Sequence, residues 1–115
     1  PQDYGNKADV RWAALTDRQG AGLLACGQPL FQVSAHPYTA EDLGWTLHAH
    51  KLTPRPFVTL NLDHRQGGLG SNSCGPEPLL QYRLQPGPAS LSFCLRPYSD
   101  GLHDPFERSN AWPCL

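Results

Sequence analysis

This chain of 115 residues has no long apolar run; the longest, near residues 23–26, falls far short of the roughly 20 residues that a membrane helix needs. A spanning helix is therefore not expected. Neither charge is in excess: nine Lys and Arg stand against ten Asp and Glu, for a net charge of −1. The basic residues are scattered singly, so neither nucleic acid nor an anionic membrane surface is an expected partner. Charged residues make up only 17% of the chain against 39% hydrophobic ones, which disfavours a disordered or highly helical chain. The four cysteines, Cys26, Cys74, Cys94 and Cys114, contain no C-x-x-C pair, and oxidised they would allow three pairings. Secreted disulfide scaffolds are denser than this, so reduced thiols and a cytoplasmic location are expected. No internal repeat and no targeting segment is visible.

What is present is turn chemistry. Eleven Gly and twelve Pro sit just under the range of low complexity and favour many turns over long helices. The length allows one domain with one core. Alternation between Gly and Pro breaks predicts strands over residues 9–15, 23–26, 30–36, 47–52, 57–63, 80–84 and 89–96. In the first, Val10, Trp12 and Ala14 share a face; residues 23–26 and 30–36, split by Gly27, Gln28 and Pro29, read as a hairpin. Val58, Leu60 and Leu62 are expected inward in the fifth, and Leu91, Phe93 and Leu95 alternate in the last. One short helix is predicted over residues 39–45, where Thr39 and Asp42 have capping-box spacing and Glu41 and Asp42 occupy the first turn. Short strands at intervals near ten residues predict an all-β fold, a β-sandwich with one short helix.

The segment GGLGSNSCGPEPL, residues 67–79, has four glycines and two prolines in thirteen positions and must turn tightly and expose its amides. It follows the strongest strand, whose Asp63 is placed to anchor it. A loop hung from a regular strand is a common place for binding residues. The carboxylates offer less: retaining glycoside hydrolysis needs two carboxyl groups about 5–5.5 Å apart, and the neighbouring Glu41 and Asp42 are explained by capping and the helix dipole. His48 and His50 would project from one face of a strand, beside His36 or His64, but spacing supplies no third ligand. No metal, no cofactor and no catalytic residue is expected. Trp12, Trp45, Tyr38 and Tyr82 would suit a sugar-stacking platform, although Trp12 on an alternating strand reads as core.

Three blocks, PQDYGNKADVRW, SAHPYTAEDL and NLDHRQGGLGSNSCGPEPLLQYRL, resemble in order and spacing the C-terminal region of large multidomain bacterial β-galactosidases, of glycoside hydrolase family 2. The resemblance covers residues 1–97, and residues 98–115 lie beyond it as an extension. It implies a small-chain type β-sandwich, part of a supersandwich related to galactose mutarotase, without the catalytic barrel. It further implies that Ser71, Asn72, Ser73 and Cys74 meet the galactoside at the active-site rim of the full enzyme. Several members carry Trp at the position of Cys74, and a thiol has no flat face for stacking on a sugar. The chain enters a family block at Pro1, which reads as a piece of a longer protein. Its expected partners are the remainder of a β-galactosidase chain and a second copy, since half a sandwich leaves edges and an apolar face open. A free-standing lectin-like module and a mutarotase-like enzyme are the alternative readings.

Overall fold

A computed structural model describes residues 5–67 and 75–111. The elements, in order, are β1 (Lys7–Thr16), β2 (Ala21–His36), α1 (Ala40–Trp45), a 3₁₀ turn (Ala49–Lys51), β3 (Thr59–Asp63), a second 3₁₀ turn (Leu80–Tyr82), β4 (Ser92–Ser99) and α2 (Pro105–Asn110). The class is all-β. The four strands form one antiparallel sheet: β2 pairs with β1 along one side, and on its other side with β4 over Ala21–Gln28 and with β3 over Gln32–His36.

Strand β2 organises the molecule because it is long enough to give each half its own neighbour. Residues 23–26 and 30–36, read as a hairpin, are one strand of 16 residues; the hairpin is β1–β2 instead. Its turn is closed by Asp17, whose carboxylate accepts from the amides of Gln19 and Ala21 at 2.8 and 3.0 Å. Gln28, Pro29 and Leu30 form no turn. They bulge out of the pairing with β1, whose register jumps from Trp12↔Cys26 to Val10↔Phe31.

The bulge also corrects the facing of β1. Trp12 and Ala14 pack on Leu24, Cys26, Cys94 and Tyr98 on one side of the sheet. Val10 packs with Ala13, Ala25, Phe31, Val33, Leu60, Leu62 and Leu91 on the other. An odd shift in register moves a side chain to the opposite face, so the alternation of Val10 with Trp12 does not survive.

In β4 the expected alternation holds, with Phe93 and Leu95 on the side opposite Cys94. Cys94 and Tyr98 are buried, whereas Phe93 and Leu95 are 43% and 49% exposed. The covered side carries α2, which packs on β1 and β2. Arg96 donates to the carbonyls of Arg108, at 3.1 Å, and Ala111, placing a cation at the negative end of the helix. Part of the extension beyond residue 97 therefore docks, and β4 itself runs on to Ser99.

Residues 47–52 and 80–84 are not strands; each contains a 3₁₀ turn. Pro54 and Pro56 follow the first, and Pro76 and Pro78 precede the second, so a paired strand is hard to sustain at either place. In β3, Leu60 and Leu62 pack inward as expected, but Val58 lies before the strand and is 51% exposed. Helix α1 holds: Thr39 caps it, accepting from the Asp42 amide at 3.1 Å, while the Asp42 carboxylate accepts from the Thr39 amide at 3.0 Å.

Candidate functional site

The site is built where β2 hands the chain to β3. Between His36 and its register partner Thr59, the chain makes an excursion through α1 that two ties bring back. The Arg55 amide donates to the Pro37 carbonyl at 2.7 Å. Its guanidinium grips the Asp42 carboxylate in a two-pronged fork, Nε to Oδ2 at 2.9 Å and a second nitrogen to Oδ1 at 2.6 Å. Planar guanidinium and carboxylate match in shape, which makes this the strong form of an ion pair. Asp42 was legible as a capping residue; Arg55, 13 positions on, was not, because no local periodicity links it to the helix.

The hydrogen bonds from Arg55, then that from the Thr39 amide, hold the Asp42 carboxyl well below the usual carboxylate range. Its folded value lies below its unfolded one. The tie therefore adds stability in full above the unfolded value, about 3.9, and loses it as the pH falls below that. In the Arg55→Ala variant the Asp42 midpoint, followed by carboxyl NMR, is expected to climb toward the ordinary range. An unchanged midpoint would assign the whole effect to the helix cap.

After β3 comes the glycine-rich loop. Asn61 donates to the buried Ser34 hydroxyl at 3.0 Å, and Asp63 accepts from Gln66 at 2.7 Å, just before the glycine-rich segment begins. The returning limb is held by Arg83, which donates to the Pro78 carbonyl at 2.9 Å and pairs with Glu77. A side chain at Gly67 would touch Leu84, 3.7 Å away, so the two limbs meet at their base. Ser71, Asn72, Ser73 and Cys74 lie outside the described residues.

At the foot of this loop a cleft of about 190 Å³ opens between His64 and Arg65, just past β3, and Asp9 and Gln32 on β1 and β2. Pro29, Leu30 and Phe31 form its apolar wall. Sequence reading missed this cleft, since the bulges that assemble it leave no periodic signal.

The remaining candidates separate. His48 and His50 stack with centroids 5.5 Å apart and planes within 9°, and among the described residues no three metal-ligating side chains gather. Trp12 packs on the core and Tyr38 is half-buried, while Trp45 is 85% and Tyr82 69% exposed. Cys26 is free and buried, and burial raises its thiol pKa, offset in part by Arg96. Cys94 is disulfide-bonded, which corrects the expectation of four reduced thiols. No described helix is long and apolar enough to cross a membrane.

Over residues 1–95 the sequence matches the family model described as "Beta galactosidase small chain". The chain belongs to that family. Among relatives it is 40% identical over 72 residues to a β-galactosidase of Priestia megaterium, an alignment covering 63% of this chain and 7% of that protein. It is 35% identical over 104 residues to a β-galactosidase of Arthrobacter sp. (strain B7), covering 84% and 10%. With β-galactosidase BgaC of Bifidobacterium adolescentis the figures are 33% over 95 residues, 80% and 9%. The chain thus spans about a tenth or less of the length of these relatives.

Proposed function

We propose that this chain is a non-catalytic C-terminal piece of a β-galactosidase, an enzyme hydrolysing terminal β-D-galactosides. It lends the loop at residues 71–74 to the active-site rim and contributes to assembly. The observation that carries the reading is the family match over residues 1–95, set against relatives roughly ten times longer.

Two structural features support it. Phe93 and Leu95 leave one sheet face half open, and the radius of gyration, 16.4 Å, exceeds the roughly 13 Å of a compact domain of about 100 residues. Both suit a layer made to be covered by the remainder of a larger chain. Several described carboxylates also have structural work: Asp42 binds Arg55, Asp17 closes the β1–β2 turn, Glu77 pairs with Arg83, and Asp104 caps α2. A cytoplasmic location belongs to the same reading; the free Cys26 favours it and the Cys94 disulfide counts against it.

The isolated chain is expected to release no product from a chromogenic galactoside. Mixed with the Priestia megaterium enzyme shortened by the matching segment, it is expected to restore hydrolysis. Turnover by the chain alone, or no restoration, would sink the proposal. The second reading, a free-standing carbohydrate-binding module, has the exposed rings of Trp45 and Tyr82 in its favour, because exposed aromatic faces suit sugar stacking.

A further inference from the structure

The cleft at the foot of the loop carries an inference that goes beyond the rim reading. We propose that Asp9, Gln32, His64 and Arg65 form a binding site for a single neutral sugar ring, separate from residues 71–74.

The first argument is unspent chemistry. Asp9 and Arg65 line one cleft, yet among the described residues neither makes an ion pair or hydrogen bond, and His64 has no such partner either. Opposite charges that share a cleft without touching leave a gap between an acceptor and a set of donors. Gln32 adds to the donor side: its carbonyl oxygen already accepts from Asn6 at 3.0 Å, so its amide hydrogens are what it offers the cleft.

The second argument is construction. Asp9 has φ of 54°, in the left-handed region that Asp tolerates better than most residues, and the register shifts on both sides of Val10. Bulges of this kind re-aim side chains and concentrate beside functional sites. Without the bulge, Asp9 would continue the alternation of β1 and would not face the end of β3.

The ligand class follows from the lining. The carboxylate only accepts, and the guanidinium and carboxamide hydrogens only donate. Neighbouring hydroxyls, each a donor and an acceptor, satisfy both sides at once, whereas a lone anion or cation meets an opposing like charge at Asp9 or Arg65. Pro29 and Leu30 provide an apolar wall for the C–H face of a ring. The volume, about 190 Å³, is below the usual range for drug-sized ligands and suits one ring.

The test is NMR titration of the labelled 115-residue chain with D-galactose, with ammonium and sulfate as charged probes. Saturable shifts at Gln32, His64 and Arg65 are expected with galactose and not with the charged probes. Arg65→Ala and Asp9→Asn are each expected to weaken binding about tenfold. Asp9→Asn keeps a residue suited to the left-handed backbone, so its spectrum reports folding separately from binding. Absence of saturable galactose shifts, equal shifts with ammonium or sulfate, or undiminished binding in both variants would overturn the site. Shifts confined to residues 71–74 would also overturn it while leaving the rim reading intact; failure to restore hydrolysis would overturn the rim reading and leave this site standing.

Discussion

Replacing Phe31 with alanine is expected to cost the chain about 3–5 kcal/mol, the usual penalty for emptying a core aromatic site. Phe31 is 1% exposed and packs with Ala25 and Val33 against Val10, Leu60 and Leu62, joining β1, β2 and β3. Its ring lies so close to Gly27 that any side chain there would strike it, so the neighbouring backbone cannot collapse easily into the void. Domains of this size are stable by roughly 5–15 kcal/mol, so much of the total would be lost. Urea unfolding should show a lower midpoint with an unchanged slope. A loss below about 1 kcal/mol, the scale of a tolerated hydrophobic swap, would mean that Phe31 does not hold this side of the sheet together.

The second large effect is expected at Gly22. It sits opposite Thr16 in the β1–β2 hairpin, and a Cβ placed there would run into the carbonyl of Leu15 and the backbone of Thr16. Main chain in a paired strand cannot step aside as a flexible side chain can. Gly22→Ala should therefore force the two strands apart, at a cost of about 1–3 kcal/mol or more. Gly44 provides the internal control. It lies in α1 with nothing within 4 Å of its would-be Cβ, so Gly44→Ala should stabilise by up to about 1 kcal/mol through helix propensity. Thermal unfolding of the two variants side by side checks both signs; equal shifts would refute the close approach at Gly22.

Turn and cap signals are readable from sequence because they act locally. The Thr39–Asp42 cap was legible for the same reason, since its partners are three residues apart. What failed was inference across the sheet. Val10 and Trp12 obey strict alternation in sequence, yet a bulge on β2 separates them onto opposite faces. Phe93 and Leu95 are the apolar residues of β4, yet Cys94 and Tyr98 take the buried side. Alternation says that two faces differ and does not say which one another layer will cover.

The sequence by itself determined the all-β class, the place of the single early helix, and the family, through blocks specific enough to be read directly. Each rests on local chemistry or on contiguous residues. Tertiary structure alone decided that β2 is one continuous strand serving three neighbours, that Arg55 reaches back to Asp42, and that Asp9 lines one cleft with His64 and Arg65. Those facts depend on register and on partners dozens of residues away. Such pairings are selected by the summed packing of the whole sheet, and no short window of residues carries that sum.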